Sequence, residues 1–405
     1  MSKICLSCRS EIFTIYNFGK VPLVNNFHKS NFASNKKYLL NLCVCKKCKV
    51  LQLQNSPKEN KMYSNYKHFS NASEDNLNHL KKFSNYIKNQ FSKDSIILEI
   101  GCNDGSLLRI LKERFTNVFG VDPGKNFKII HEKNKLLTIS EHFEKKTIRQ
   151  IYKKFKNKKF DLIIGLNVFA HFKKVQEAFN LISDLLNLDG KFIFEVAYAK
   201  ETIMKYKFDT IYHEHIFNHT LTGLDNMIKK TKMNINDATV LKTQGGSLRL
   251  TCSLKKKRNN NVRKILNNEK ILGFNNIRFY NSIKKKIQYK INLINEFIKK
   301  KINVKSRVVL IGAPARGVMF FNTTILKEYK NLIIVDDTKE KMSNYFPGSN
   351  TKITSWKGLK KNSSTNKTAI LLSWNYKKTM IKKLKTHGFK GSVFIFFPKF
   401  KTIQI

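Results

Sequence analysis

The sequence predicts an α/β protein in which two mostly parallel sheets follow a small N-terminal region. Apolar runs that fit buried strands alternate with helical patterns from about residue 67 to 242, and the same alternation returns from Arg307 onward. Between these parts, apolar side chains recur at steps of three and four from Tyr280, which is typical of a helix. Because strands that alternate with helices usually form doubly wound parallel sheets, we expect this architecture in both parts.

The chain is long enough for two or three domains, and we expect three, at residues 1–65, 66–242 and 243–405. The first region holds five of the seven cysteines. It is too short and irregular to build a large core of its own, so we expect a metal ion to stabilise it. A Lys- and Asn-rich stretch near 255–261 is a plausible linker.

The formal charge of +49 would suit a nucleic-acid partner or an anionic surface. The lysines are spread along the whole chain, however, so we interpret the charge as a compositional bias and expect no specific nucleic acid. There is no apolar run of about 18 residues and no secretory leader. We therefore expect no membrane association, a cytoplasmic location with reduced thiols, and a monomer or small homo-oligomer.

The individual elements can be placed from the apolar runs. Ser95–Ile100 reads as a buried strand, the turn Gly101–Gly105 follows it, and a helical pattern begins at Leu107. A long helical pattern covers residues 260–305. Further strands are predicted at 118–121, 160–165, 191–195, 307–311, 332–336, 368–373 and 392–397.

Two CxxC pairs, Cys5 with Cys8 and Cys45 with Cys48, give the strongest local signal. Each CxxC turn can aim two thiolates at one point, and two such turns build the tetrahedral four-sulfur site that zinc prefers. In a reducing compartment, such pairs indicate a metal site more than disulfides. Cys43 could replace Cys45, but only Cys45 gives the CxxC spacing. Since nothing indicates an open coordination position, we expect a structural zinc ion.

The turn Glu99-Ile-Gly-Cys-Asn-Asp-Gly105 follows the first central strand. Glycines at such a turn let the backbone approach a ligand, and the helix that follows offers N–H groups. Asp122 ends the next strand, where an acid typically accepts the two ribose hydroxyls of an adenosine group. This spacing also fits nicotinamide cofactors. This turn, however, has only two glycines with acidic residues around them, and not the G-x-G-x-x-G pattern. It fits S-adenosylmethionine better, because that cofactor carries positive charge and has no pyrophosphate.

Ile211-Tyr-His-Glu-His215 is the densest polar cluster. His213 and His215 are two residues apart, so we expect them to share one face of a strand. Their spacing is not that of the H-E-x-x-H zinc helix. A histidine beside a carboxylate is suited to proton abstraction near neutral pH, whereas satisfied structural histidines are the alternative.

Taken together, these motifs resemble the sugar-nucleotide C-methyltransferases, which include enzymes that methylate C-3 of dTDP-linked 4-keto-deoxysugars. The resemblance covers nearly the whole chain. The chain has Gln244, Ala197 and Arg316 where the family usually has His, Pro and Lys. These departures concern the identity of the sugar more than the transfer of a methyl group. Besides the CxxC pairs and the Glu99–Gly105 turn, the matching segments are Gly19–Asn25, Val50–Gln52, Tyr63–Tyr66, Asn167–His171, Glu195–Tyr198, Phe208–His215, Gly245–Arg249, Gly312–Gly317, Pro347–Gly348 and Ser373–Asn375.

The resemblance implies a zinc-binding domain, a class I Rossmann-like methyltransferase domain that binds S-adenosylmethionine, and a second Rossmann-like domain, with a nucleotide sugar between them. His215 matches the family's proposed base, and Tyr66, His171, Tyr212 and Glu214 match residues around the sugar. The expected cofactor residues are Glu99, Gly101, Asn103, Asp104, Gly105, Asp122 and Asn167. The expected substrate residues are Arg249, Gly312, Arg316 and Gly317, with salt bridges as the alternative role of the two arginines.

The chemistry implied by this resemblance needs few groups. A base, His215, would remove a hydrogen from the carbon beside the ketone, and Tyr212, Tyr66 or His171 would donate to the enolate oxygen. His213 and His171 are the alternatives for the base. Two other functions stay open, namely a nucleic-acid methyltransferase and a non-methylating sugar-nucleotide enzyme or binding protein that uses the C-terminal domain.

Overall fold

A computed structural model describes residues 4–57, 74–155, 159–360 and 368–405. Within these residues the strands form three sheets, of four, seven and six strands. Two of the sheets are mostly parallel and alternate with helices along the chain, so the predicted α/β class is confirmed. In the same part of the chain, no helix combines the length and the apolar character needed to cross a membrane.

All strands predicted from the apolar runs are observed, and most of their ends lie close to the predicted positions. The strands are β1 (Ile12–Pro22), β2 (Lys37–Cys45), β3 (Leu51–Leu53), β4 (Ile96–Ile100), β5 (Asn117–Val121), β6 (Leu137–Ile139), β7 (Phe160–Leu166), β8 (Leu186–Ala197), β9 (Phe217–Asn218), β10 (Asn234–Leu241), β11 (Ser247–Ser253), β12 (Val308–Ile311), β13 (Leu332–Val335), β14 (Ile353–Thr354), β15 (Thr368–Leu371), β16 (Ser392–Ile395) and β17 (Lys401–Gln404). The helices are α1 (Asn31–Ser34), α2 (Glu74–Lys88), α3 (Ser106–Lys112), α4 (Lys128–Lys133), α5 (Lys145–Lys154), α6 (Val175–Leu185), α7 (Ala199–Met204), α8 (Leu221–Ile228), α9 (Asn260–Ile271), α10 (Ile277–Lys301), α11 (Ala315–Thr323), α12 (Trp356–Lys360) and α13 (Lys377–Thr386).

The N-terminal sheet has the strand order β1–β2–β3–β9 and is antiparallel throughout. Its last strand comes from far along the chain, directly after the histidine-rich segment. The amide of Leu53 extends this pairing by donating to the carbonyl oxygen of Ile216 at 2.8 Å. The N-terminal sheet therefore holds the end of the histidine-rich segment in place.

The central sheet has the order β10–β11–β8–β7–β4–β5–β6. Strands β4 to β8 are parallel, and the antiparallel hairpin β10–β11 extends one edge. Alternate side chains of β4 enter different cores, with Ile97 in one and Leu98 and Ile100 in the other. Both faces are thus covered, as predicted for a doubly wound sheet. Because β11 belongs to this sheet, the sheet continues past residue 242, where the sequence analysis placed a domain boundary.

The C-terminal sheet has the order β14–β13–β12–β15–β16–β17, and only β17 is antiparallel. The single helical stretch predicted before it is two helices. Gly273 at φ 93° ends α9, and the side chain of Asn276 caps α10 by accepting from the amide of Arg278 at 2.9 Å. The predicted apolar stripe of α10 is buried and shares one core with β1, β2 and the C-terminal sheet: Tyr280, Ile283, Ile287, Ile291, Ile294, Ile298 and Ile302.

Candidate active site

The four cysteines of the two CxxC pairs converge on one point. Their sulfur atoms all lie within 4.8 Å of one another. The Sγ atoms of Cys5 and Cys48 are 3.6 Å apart, and those of Cys8 and Cys45 are 3.4 Å apart. Thiolates at about 2.3 Å from a tetrahedral zinc ion would lie about 3.8 Å from one another. The cluster therefore has the donor set and the size of a four-sulfur metal site.

Cys43 lies outside this cluster, so the geometry favours Cys45 over Cys43 as the fourth ligand. Its Sγ is 3.6 Å from Oγ1 of Thr14, and burial raises the pKa of its thiol. The cysteine cluster also packs on the central domain, because Nδ2 of Asn226 in α8 donates to the carbonyl oxygen of Cys48 at 3.1 Å. The cluster therefore connects the N-terminal sheet to the central domain.

The turn after β4 has the backbone that a ligand site requires. Gly101 adopts φ 72°, and a Cβ there would lie 2.6 Å from Cγ2 of Val168. The amide of Asn103 donates to Oδ2 of Asp122 at 2.9 Å, and that of Gly124 donates to Oδ1 of the same carboxylate at 2.8 Å. The acid at the end of β5 is thereby held against the turn, as the sequence spacing predicts.

Five of the seven expected cofactor residues line one cavity at the carboxyl ends of β4, β5 and β7: Glu99, Gly101, Asn103, Asp122 and Asn167. Asp104 and Gly105 do not line it, which corrects the prediction for these two. Oδ1 of Asp104 instead accepts from the amide of Ser106 at 3.1 Å and from its hydroxyl at 2.6 Å. Asp104 therefore stabilises the start of α3, and Gly105, at φ 73°, supplies the left-handed turn before it.

The cavity is rich in acceptors and suits a cationic ligand. Burial, followed by the charges of Asp122 and Asp104, raises the pKa of Glu99 well above its usual value. Burial also raises the pKa of Asp122, although the amides of Gly124 and Asn103 counteract part of this shift. Within the described residues, Oε2 of Glu99 and Oδ1 of Asn167 are buried without a hydrogen-bond partner. A ligand that brings positive charge and N–H donors, as S-adenosylmethionine does, would satisfy them.

The Tyr212–His215 segment is a turn and not a strand, since the amide of His215 donates to the carbonyl oxygen of Tyr212 at 2.9 Å. The expectation that His213 and His215 share a face is therefore wrong. His213 is buried, and its Nε2 donates to the carbonyl oxygen of Leu39 in β2 at 3.3 Å. The turn sends the two imidazoles to different surroundings: His213 meets the ring of Tyr38 at 6.0 Å between centroids, whereas His215 faces Tyr212 and His171.

His215 belongs to a compact cluster with Tyr212 and His171. Its Nε2 accepts from the Tyr212 hydroxyl at 2.9 Å, and its Nδ1 donates to the carbonyl oxygen of Thr210 at 3.3 Å. The rings of His171 and His215 are 5.3 Å apart between centroids, and His171 also lines the cofactor cavity. Burial, with the charges of His171 and Arg316, lowers the pKa of His215 well below its usual value. The imidazole of His215 is therefore neutral at neutral pH.

Glu214 is held by an N-terminal residue that the sequence analysis did not select as a site residue. Nδ2 of Asn25 donates to Oε2 of Glu214 at 2.6 Å. Burial raises the pKa of Glu214 to about 7, and the bond from Asn25 counteracts part of this rise. The backbone carbonyl oxygen of Glu214 accepts from Nδ1 of His171 at 2.7 Å. The match of Gly19–Asn25 to the family was the signal that could have identified Asn25.

Of the four expected substrate residues, Gly312, Arg316 and Gly317 lie at the turn after β12 and the start of α11, whereas Arg249 lies in β11 of the central sheet. Nε and a terminal nitrogen of Arg249 each lie 2.7 Å from Oε1 of Glu195, which is the salt bridge that the sequence analysis kept as the alternative. Arg316 lies over the ring of Trp374 at 5.1 Å and near the histidine cluster. Side chains fill the turn beside Gly312 and Gly317, so these two glycines serve packing, and Tyr66 lies outside the described residues.

Comparisons with known proteins match both halves of the chain. A family described as "Methyltransferase domain" matches residues 69–235, and one described as "C-methyltransferase C-terminal domain" matches residues 242–398. C-methyltransferase NovU of Streptomyces niveus is 23% identical over 400 residues, which are 96% of this chain and 94% of that protein.

Solved structures are similar to part of the chain. A S-adenosylmethionine-dependent methyltransferase from Clostridium acetobutylicum is 14% identical with a TM-score of 0.35, and the match covers 43% of this chain and 89% of that one. The PH0226 protein of Pyrococcus horikoshii is 16% identical with a TM-score of 0.38, over 50% of this chain and 100% of that one. The two domain matches and the nearly full-length relative show that the chain is a S-adenosylmethionine-dependent methyltransferase that is similar to the C-methyltransferases.

Proposed function

We propose that this methyltransferase methylates a carbon of a nucleotide-linked 4-keto-deoxysugar, with His215 as the general base. The observation that carries the proposal is a half-buried, neutral imidazole beside the cofactor cavity, bonded to a tyrosine hydroxyl. A carbon must lose a proton before it can attack a methyl donor, and a ketone acidifies the neighbouring C–H bond. A neutral histidine with a hydroxyl donor next to it provides the groups that this step needs.

Tyr212 and His215 divide the work in this proposal. At rest the Tyr212 hydroxyl donates to Nε2 of His215. When the ketone oxygen of the sugar accepts that O–H instead, the Nε2 lone pair is released. It then takes the proton from the carbon beside the ketone, and the C–H electrons move into an enolate whose oxygen stays bonded to Tyr212. The bond from Nδ1 to Thr210 orients the ring and stabilises the imidazolium that forms.

Glu214 and the cofactor residues complete the proposal. A carboxyl group whose pKa is about 7 is partly ionised at neutral pH, so the charge of Glu214 can balance the imidazolium while Asn25 fixes its position. Glu99, Asn103, Asp122 and Asn167 would hold S-adenosylmethionine. When bound, this cofactor supplies the electrophilic methyl group.

Arg316 is the substrate residue that we retain. It contributes to the lowered pKa of His215, so its charge acts close to the base. A guanidinium group forms forked contacts with phosphate oxygens, which suits the diphosphate of a nucleotide sugar. Gly312 and Gly317 are not retained, because Ser373 and Leu372 occupy the space beside them.

The test is hydrogen–deuterium exchange at the sugar carbon in D₂O, with S-adenosylhomocysteine in place of the methyl donor. Wild-type protein should exchange the hydrogen beside the ketone of a dTDP-linked 4-keto-deoxysugar. His215→Asn should keep its fold and cofactor affinity but lose exchange and turnover by about 10²–10⁴-fold. Arg316→Ala is the matched control, since it should weaken substrate binding yet exchange at saturating substrate. Exchange at the wild-type rate in His215→Asn would transfer the role of base to His171 or His213.

We further propose that the cysteine cluster binds one structural zinc ion, which requires a reducing compartment such as the cytoplasm. Cys45→Ser should release the zinc ion and lower the melting temperature by several degrees, because the N-terminal sheet loses its metal link. Cys43→Ser is the control, since Cys43 lies outside the cluster, and it should retain one zinc ion per chain. Elemental analysis of untagged protein measures both, and a folded wild-type protein without metal would contradict the proposal.

A further inference from the structure

A buried ion-pair network lies next to the cofactor cavity, and the mechanism proposed above does not use it. The carboxylate of Glu195 in β8 is 1% exposed. Its Oε1 pairs with Arg249 of β11, and its Oε2 lies 2.7 Å from Nε2 of His79 in α2. Arg249 also lies 4.9 Å from the ring centroids of Phe83 and Tyr86 in α2. The network therefore joins two strands and one helix around a single carboxylate.

His79 is the member of this network that reaches the cavity. Its side chain is 12% exposed, and it lines the cavity together with Glu99 and Asn167. A carboxylate can only accept a hydrogen bond here, and Arg249 already balances its charge. Nε2 of His79 therefore carries the proton that is donated to Glu195. Nδ1, which has no hydrogen-bond partner among the described residues, is left as an acceptor.

The position of His79 in the sheet indicates which part of the cofactor it meets. Asp122, the expected ribose acceptor, ends β5, whereas Glu195 lies in β8, on the other side of β4 and β7. A cofactor whose ribose lies at β5 and which extends across the sheet places its amino-acid end near His79. The neighbouring groups there are the oxygen acceptors of Glu99 and Asn167. Such surroundings fit the α-ammonium group of the cofactor and would repel its carboxylate.

We propose that His79 binds the α-ammonium group of S-adenosylmethionine through Nδ1, and that Glu195 and Arg249 are positioning residues that fix its ring and its tautomer. Arg249 thereby has a role in cofactor binding without touching the cofactor. The proposal rests on the dependence on S-adenosylmethionine and not on the identity of the sugar. It can therefore fail while the proposed sugar substrate stands, and the reverse is also true.

Two nucleosides separate this role from a structural one. S-Adenosylhomocysteine and 5′-methylthioadenosine are both adenosine thioethers, but only the first has the amino-acid group. In titration calorimetry with the full chain, His79→Ala should lower the affinity for S-adenosylhomocysteine by at least about tenfold. It should lower the affinity for 5′-methylthioadenosine by less than about twofold. Asn85→Ala, at an exposed position of the same helix outside the cavity lining, should leave both affinities within about twofold.

The ratio of the two affinities is insensitive to a general loss of structure, because misfolding would weaken both nucleosides. A selective loss for S-adenosylhomocysteine in His79→Ala supports the proposal. Equal losses for both nucleosides, or no loss for either, would overturn it. Arg249→Met gives a second readout, since a positioning role predicts a smaller loss of the same selective kind.

Discussion

The turns that follow the first strand of each parallel sheet share one backbone design but differ in what fills them. Gly101 and Gly312 have φ angles of 72° and 86°. Each amide donates at 2.7 Å to the last residue of the next strand, Val121 or Val335. The acid that follows that strand accepts from the turn in both cases, Asp122 from Asn103 and Asp336 from Ala313. The backbone alone would make both turns candidate nucleotide sites.

The side chains around the two turns separate them. Nζ of Lys341 lies 3.8 Å from Oδ2 of Asp336 and donates to the carbonyl oxygen of Ala313 at 3.0 Å. The Ser373 side chain occupies the space next to Gly312. Burial would raise the pKa of Asp336, but Lys341 and the donors of Thr338 and Ala313 hold it below its usual value. Among the described residues, no lysine or arginine forms an ion pair with Glu99 or Asp122, and the pKa values of these two acids are raised.

The difference teaches that the chain itself supplies a cation to Asp336, whereas a ligand would have to balance the charge of Asp122. An occupied acid beside a filled turn does not favour a nicotinamide cofactor in the C-terminal domain. The alternative of a non-methylating enzyme that uses this domain therefore loses its support. Removing Asp122 should have the largest effect, neutralising Glu99 a smaller one, and removing Lys341 the smallest.

Asp122→Ala should have the largest effect on cofactor binding. Two ribose hydroxyls lose a charged acceptor, and each such bond contributes about 1.5–3 kcal/mol, so affinity for S-adenosylmethionine should fall by about 100-fold or more. Asp336→Ala is the matched control in the other turn, and it should lower the melting temperature while leaving that affinity within about twofold. Calorimetry and thermal unfolding measure the two effects. Equal losses of affinity would show that the turns do not differ as described.

Glu99→Gln should have an intermediate effect on cofactor affinity and an effect on stability whose size depends on pH. The pKa of Glu99 in the folded protein lies above its usual value of 4.5, so ionised Glu99 increasingly destabilises the ligand-free fold as pH rises above that value. The variant should therefore melt higher than wild type at pH 7 and equally at pH 4. It should bind S-adenosylmethionine about tenfold more weakly at pH 7, because the carboxylate that faces the cation is lost.

Asp336→Asn should behave in the opposite way, because the pKa of Asp336 is lowered in the folded protein. Its stabilising contribution is present above the usual value of 3.8 and is lost as pH falls through the folded pKa. Thermal unfolding from pH 3 to 8, without ligand, measures both variants. A melting curve that shifts in the same direction for both at pH 7 would contradict the comparison.

The sequence alone predicts the parts of this molecule that depend on local spacing. The CxxC pairs locate the cysteine cluster, and the three–four repeat locates the buried stripe of α10. The apolar runs locate eight strands, namely β4, β5, β7, β8, β12, β13, β15 and β16, but none of the N-terminal sheet. The short strand β9 is not predicted, because a pairing of two residues far along the chain leaves no periodic pattern. His213 and His215 point in different directions because they lie in a turn. Their spacing of two residues fits a strand as well as a turn, so the sequence does not distinguish the two.

The same limit applies to the two glycine turns. Both look like ligand sites in the sequence, since each has glycines after a strand and an acid after the next strand. The residues that fill the C-terminal turn, Ser373 and Lys341, come from other segments, and only the folded chain brings them together. The network of His79, Glu195 and Arg249 was missed for the same reason, because its members lie on a helix and two strands that are distant in sequence.

Lys341→Met should give the smallest effect and the sharpest test of why the turns differ. Without Lys341, burial dominates the environment of Asp336 and its pKa should rise, so the variant should lose about 1 kcal/mol of stability at pH 7. The loss should shrink as pH falls through the pKa of Asp336 in folded wild type, because the charge that Lys341 stabilises is then removed. The exposed Lys339→Met is the control and should change neither value.

Lys341 supplies in one turn the cation that S-adenosylmethionine would supply in the other. Adding the cofactor to wild type should therefore lower the pKa of Glu99 and release protons. Calorimetry in buffers of different ionisation enthalpy measures this release. Proton uptake, or no exchange of protons, would mean that the central acids do not respond to the cofactor as Asp336 responds to Lys341.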